Sequence, residues 1–434
     1  MKHTVSEVKL KNGVKGIFIN VPDASVMTYE INFRAGEFLS PRDKYETAHL
    51  VEHILLGAND RFPKSRLFQA EVEKNGAYSN ASTGVYDITY EFECADFEWQ
   101  RILDLAILAI TKPLFLEEEY QAELGNVKEE LISRSNNNFR HLGLALRQAN
   151  GLIAMTDQER LEFLTNVSID DIRKHYIDTH TTGNMRFVFA GKITKSKQEE
   201  MIQLLENISL PKTKKRIALP TESPRRIKKP LYIAKSSVEN IYFYIDTFMD
   251  RWMTNEESDA LSLANNLLTE TFHSRILGAA REQGIVYDVS SSHARWNGGS
   301  NWWFAAQVHP DNIRTLFELI AKEIMNTRKG LLSEQDIISS KQYALGRYQR
   351  SAQTVSGTAA GYSNNYFFND SVEDYYHIPK RIEAVTLEQI VGITNKMFEN
   401  KIGGFGLLGK ADDGLIADLS MILKPLWLKS SFLK

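Results

Sequence analysis

The chain has 434 residues, with 52 Lys and Arg against 55 Asp and Glu and a formal net charge of −3. That length suggests two to four domains, and 43% hydrophobic with 25% charged residues excludes wholesale disorder. A near-neutral balance supplies no field for phosphates, which argues against nucleic acid, and the single Cys94 excludes an internal disulfide or a Cys-rich zinc cluster.

From the N-terminus, Met1-Lys2-His3-Thr4 runs straight into charged, alternating sequence without the apolar core of a signal peptide. Residues 26–33 and 86–92 alternate like half-buried strands, as do 241–248 and 302–308. Residues 97–112 and 312–327 carry apolar residues at helical spacing. The densest apolar run, 102–110, is broken by Asp104 and is too short to span a bilayer. Asn-Gly pairs at 12–13, 75–76 and 297–298 read as hairpin turns. The expected protein is therefore cytoplasmic, without a membrane partner, and α+β, with mostly antiparallel sheets packed by helices.

The chain also repeats itself. Val-Ser-Ile-Asp-Asp-Ile at 167 returns as Val-Thr-Leu-Glu-Gln-Ile at 385, and the strand end at Gly191-Lys192 returns at Gly409-Lys410. Both displacements are the same (385 − 167 = 218; 409 − 191 = 218). Leu116 and Leu332 match at a slightly smaller offset, as do Ser65-Arg66-Leu67 and Ser274-Arg275-Ile276. Two homologous halves with small loop insertions give such a drift. Between them, residues 210–230 hold four Pro and eight Lys or Arg and read as a linker. The expected division is 1–209, 210–230 and 231–434.

Ser40 and Pro41 read as a helix start and Gly57 as its stop. Inside lies His49-Leu50-Val51-Glu52-His53. Two histidines four apart leave one helix face together and can share one zinc ion. Glu52 lies on the same side, placed to act as a general base on water beside that ion. Leu50, Val51, Ile54 and Leu55 would form the buried face. Two imidazoles leave a zinc site incomplete, so a third ligand must come from another element. Residues 116–134 read as a helix with an apolar stripe at Leu116, Tyr120, Leu124, Val127 and Leu131. Helical phase sets Glu123 and Glu130 beside that stripe and turns Glu129 to water. Glu130 is then the preferred third ligand, and Glu123 a carboxylate that supports the site.

This set resembles the pitrilysin/insulysin group of inverzincin peptidases, in the two-domain branch that includes mitochondrial processing peptidase. The resemblance rests on Ala48-His49-Leu50-Val51-Glu52-His53-Ile54-Leu55, on Glu130 77 residues after His53 (130 − 53 = 77), and on Glu123 seven before it. Asn80-Ala81-Ser82-Thr83 is similar to the family's Asn-Ala-x-Thr strand. Arg281-Glu282-Gln283-Gly284-Ile285-Val286-Tyr287 resembles its Arg…Gly-x-x-Tyr segment, with Arg281 one residue nearer Tyr287 than usual. The family is built from duplicated halves of which only the first keeps zinc ligands, and no His-x-x-Glu-His occurs after residue 230 here. The resemblance implies a zinc endopeptidase with one zinc per chain, Glu52 and Glu123 as catalytic carboxylates, and Asn80, Arg281 and Tyr287 binding substrate. It implies unfolded peptides or small unfolded proteins as substrates, added as a strand beside the segment from Asn80 to Phe92 in an enclosed chamber. It further implies a homodimer, or a heterodimer with a related chain. The reading from another class is a non-catalytic or regulatory subunit that keeps the fold. Gly404-Phe405-Gly406-Leu407-Leu408-Gly409 fits a dinucleotide-loop pattern, but the repeat equates it with an ordinary strand ending at Gly191.

Overall fold

The computed structural model describes residues 1–427. They form two compact units, each an α+β assembly of helices on a mixed, mostly antiparallel sheet. In the first unit the strands are β1 (Thr4–Lys9), β2 (Lys15–Asn20), β3 (Val26–Phe33), β4 (Tyr78–Thr83), β5 (Ile88–Ala95) and β6 (Met185–Gly191). Their order is β1-β2-β6-β3-β5-β4, with only the β2–β6 pair parallel. In the second unit the strands are β7 (Leu231–Ala234), β8 (Ile241–Met249), β9 (Ser290–Trp296), β10 (Gly299–Val308) and β11 (Ile402–Gly409). Their order is β7-β11-β8-β10-β9, with only β7–β11 parallel.

The repeat read from sequence is a repeat of structure. Ser168 and Thr386 each close a capping box on the helix that follows, Ile169–Thr179 and Leu387–Glu399. Gly191 and Gly409 end their strands at φ +145° and +140°, a conformation L side chains rarely adopt. The segment that fits the dinucleotide-loop pattern is strand β11.

The compact units, however, do not follow the contiguous halves. The first contains 1–133 and 157–220 together with 350–375; the second contains 134–156 together with 221–349 and 376 onward. The helix Asn138–Ala149 packs on β8 and β11, and its counterpart Val355–Asn369 packs on β3 and β6. Both helices are capped by their preceding residue, Asn137 and Thr354. The spans expected from the repeat, 1–209 and 231–434, thus each give up one helical segment. Residues 210–230 carry no helix or strand.

Local expectations fare unevenly. The turns at Asn12-Gly13 and Asn297-Gly298 join β1 to β2 and β9 to β10, whereas Asn75-Gly76 joins the helix Ser65–Glu73 to β4. The strand drawn from Asn80 to Phe92 is in fact a hairpin, β4 and β5, with β4 at the sheet edge. Ser40 and Pro41 do not open the histidine helix. Two short 3-10 turns, Glu37–Leu39 and Arg42–Lys44, precede it, and it runs only from Thr47 to Leu55. The bend turns Glu37, Tyr45 and Glu46 inward, where they surround Arg160. Among the described residues, no helix is long and apolar enough to cross a membrane.

Candidate metal centre

The histidine helix stands on a dry floor: Leu50, Val51, Ile54 and Leu55 are all buried in the first core, as their spacing predicts. Its partner is the acidic helix, Glu117–Ser135, which buries Tyr120, Val127 and Leu131. Leu116, placed on that stripe by periodicity, lies before the helix and is 38% exposed. Glu129 is exposed, and Glu130 is half-buried and turned to the histidines.

His49 and His53 meet edge to face, ring centroids 4.9 Å apart. Glu130 Oε2 lies 3.2 Å from His49 Nε2 and 3.6 Å from His53 Nε2. The three donor atoms that can hold a metal lie within 4.8 Å of one another. Each imidazole is also held from behind. His49 Nδ1 is 2.8 Å from Glu46 Oε2, and His53 Nδ1 is 2.8 Å from Glu123 Oε2. With Nδ1–H donated to a carboxylate, Nε2 is the ring nitrogen turned to the space facing Glu130, and it can bind a metal once its proton leaves. Glu123 therefore touches His53, which is a positioning contact. It also accepts from Asn126 Nδ2 at 3.1 Å.

Burial by itself would lower both histidine pKa values. Around His49 the carboxylates of Glu130 and Glu46 outweigh it, and around His53 Glu123 and Glu130 do so, pushing His53 up to about 10. Glu123 is held below the usual carboxylate range, chiefly by His53, against the opposing pull of burial. A cluster that favours protons this strongly favours a cation. Two imidazole nitrogens and one carboxylate oxygen match the open-site zinc donor set, so the residues fit the ion that the motif implies.

Glu52 is half-buried on the same helix, and its Oε2 accepts the Thr83 hydroxyl at 2.7 Å. Thr83 ends the edge strand β4, so strand and helix meet at this carboxylate. Asn80 is exposed on β4, paired in register with Glu91. Arg281 and Tyr287 belong to the second unit. There the Arg281 guanidinium lies over the rings of Phe272 and Tyr287, 4.6 and 4.7 Å from their centroids, and donates to the Tyr287 carbonyl. Arg281 is thus turned onto its own loop, while Tyr287 is 82% exposed.

Two residues, Glu46 and Arg160, were missed by sequence reasoning. Glu46 is 1% exposed and its pKa is about 2: burial would raise it, but His49 and Arg160 win. Arg160 bridges it to Glu37, whose Oε1 is 3.1 Å from Nη1 and whose Oε2 accepts the Tyr45 hydroxyl at 2.8 Å. Burial opposes the Arg160 charge, but these carboxylates raise its pKa above the usual value. Glu46 was legible as a carboxylate one turn before His49. Arg160 had no local signal, because it reaches Glu46 across 114 residues of chain. Thr83 was named only as part of a resemblance.

A pair of duplicated α+β units with an inverted His-His-Glu centre in the first defines the class as an inverzincin-type fold. Residues 17–156 match the family model described as insulinase, peptidase family M16, and 166–343 match the one described as peptidase M16 inactive domain. The chain belongs to this pitrilysin/insulysin-type M16 family. An uncharacterized zinc protease of Rickettsia felis is 20% identical over 92% of this chain and 96% of its own length. Insulin-degrading enzyme-like 2 of Arabidopsis thaliana is 22% identical over 47% of this chain, and the match covers 22% of that relative. The solved structure of a protease from Helicobacter pylori has a TM-score of 0.83 at 18% identity, covering 94% of this chain and all of that one. An M16 inactive-domain structure from Pseudomonas fluorescens has a TM-score of 0.80 at 14% identity, covering 94% and 98%.

Proposed function

We propose that the protein is a zinc endopeptidase of unfolded peptides, with His49, His53 and Glu130 holding one zinc and Glu52 as general base. The observation that carries this reading is the orientation of the imidazoles, with both Nδ1 atoms engaged by carboxylates and both Nε2 atoms turned to Glu130. Zinc held there supplies Lewis acidity to polarise a carbonyl and ease deprotonation of water. Glu52 takes up the proton of the attacking water and returns it to the leaving amine. Thr83 fixes the carboxylate for that transfer, Glu123 and Glu46 orient the imidazoles, and Arg160 keeps Glu46 ionised. A peptide adding to the exposed edge of β4 gains main-chain hydrogen bonds with little sequence demand and passes Asn80 and Thr83 on the way to Glu52. Tyr287, with Arg281 stacked beneath it, is the candidate for a substrate hydroxyl contact. Tyr287→Phe should lower turnover without loss of zinc. A homodimer in the cytoplasm completes the proposal, and a fully active monomer in light scattering would remove that part.

The test is metal analysis combined with a quenched-peptide assay. Wild type should carry close to one zinc per chain and cleave. Glu52→Gln should keep the metal and lose roughly 10²–10⁴ in turnover. If Glu52→Gln loses zinc as thoroughly as His49→Ala, the assignment of base and ligand fails. The competing reading, a regulatory subunit, draws on the match to an inactive-domain model and predicts zinc without turnover.

A further inference from the structure

Two sequence features are unused by the peptidase reading: the basic linker and the glycine-rich strand β11. They meet in the second unit. A half-open cavity of about 520 Å³ lies between the end of the linker, the start of β11 and the C-terminal part of the helix Asp413–Leu423. Ile227, Phe405, Met421, Leu423 and Trp427 supply its apolar wall. Gly404 keeps the wall closed, since a Cβ there would stand 2.4 Å from Ile227 Cγ1. Met421 is 64% exposed at the mouth of the cavity.

Five cations also line the cavity: Arg226, Lys228, Lys229, Lys401 and Lys424. Among the described residues no carboxylate lines it and no ion pair engages any of the five. On a chain of net charge −3 this is a local excess of positive charge. The Trp427 indole N–H is also buried without an acceptor among the described residues. One negative group would use one or two of these cations. Five around an apolar wall suit several carboxylates flanking one large apolar group.

We propose that this cavity docks an acidic peptide segment carrying a large apolar side chain, which seats against Phe405 and Trp427 while flanking Asp or Glu residues face the cationic rim. The site goes beyond the peptidase reading, because it involves no residue of the metal centre. Apolar contact provides the anchor, and the rim charges provide selection by sign.

The test uses full-length Glu52→Gln protein, so that cleavage plays no part, and the anisotropy of a fluorescein-labelled peptide of alternating Glu and Asp around one Phe. The peptide should bind, and a Lys-substituted version should not. Replacing Phe by Gly should weaken binding about tenfold, and Lys228→Glu with Lys229→Glu should do the same or more, with thermal melting unchanged. Raising salt from about 0.05 to 0.5 M should also weaken it. Equal binding of the Gly peptide would reduce the site to charge alone and overturn the proposal. So would binding untouched by the double charge reversal. Dodecanoate binding at the rim while the peptide does not would assign the cavity to an anionic amphiphile instead, and would equally sink it. None of these outcomes bears on zinc content or turnover, so this proposal and the peptidase reading fail separately.

Discussion

The same helix pair is built twice with opposite contents. In the first unit the helix Thr47–Leu55 packs on the capped helix Ile169–Thr179, and the acidic helix Glu117–Ser135 brings Glu123 and Glu130 to its histidines. In the second unit Asn255–Thr269 packs on the capped helix Leu387–Glu399, and Glu334–Ser351 stands where the acidic helix stood. There the Ser340 hydroxyl, 4% exposed, donates to the Leu263 carbonyl at 2.7 Å, and Arg347 pairs with Glu270 at 2.7 Å. Gathering Glu37, Glu46, Arg160 and two histidines in a buried space carries a desolvation cost that packing alone does not require. Among the described residues, the first unit carries at this junction a His-His-Glu group that could hold a metal, and the second does not.

The comparison breaks most sharply at the ligands. His49→Ala or Glu130→Ala should drop zinc from about one per chain to near zero and abolish cleavage, whereas Glu129→Ala, on the exposed face, should change zinc affinity less than about twofold. Equal losses for Glu129 and Glu130 in a zinc titration would undo the helical-phase argument. Next in size is Arg160→Ala, which leaves Glu46 and Glu37 buried without their cation; denaturant melts should show a loss of about 3–5 kcal/mol. A loss below about 1 kcal/mol would mean that Glu46 and Glu37 find other partners.

The second unit has its own buried acid. Asp246 on β8 has a pKa of about 7, raised by burial against the hydrogen bonds from Asn301 Nδ2 at 2.9 and 3.1 Å. Its folded value lies above the unfolded value of 3.8, so its contribution is complete below about pH 4 and lost as pH rises through about 7. Wild type should lose about 1 kcal/mol per pH unit across that window relative to Asp246→Asn. Parallel pH profiles of unfolding free energy for the two proteins would mean that Asp246 is already ionised in the fold. The smallest effect belongs to the Ser340 contact. Ser340→Ala should cost about 1 kcal/mol and leave zinc and turnover untouched, and a change in either would tie this contact to the metal centre.

The metal centre was more legible than the domain plan. His49, Glu52 and His53 share one helix, and the 3.6-residue period placed them on one side without further knowledge. The same period separated Glu130 from Glu129. The capping boxes at Ser168 and Thr386 were also local facts, since cap and helix lie within four residues. The histidine helix's start was misread because Pro41 satisfies a local rule while the bend answers a distant group, Arg160. Asn75-Gly76 has the same turn chemistry as Asn12-Gly13, yet joins a helix to a strand, because a turn does not specify what it connects.

Periodicity, caps and the internal repeat, all properties read along the chain, pointed to two α+β halves and to two histidines and Glu130 on two helix faces. Tertiary structure alone decided which sheet each helix covers. Asn138–Ala149 and Val355–Asn369 each lie on the sheet whose strands belong mainly to the other half. It also decided that Glu46 and Arg160 stand behind His49. An apolar face records only that it will be buried, and a carboxylate only that it will seek a cation or a donor. The choice of partner is settled when the whole chain competes for the same few contacts.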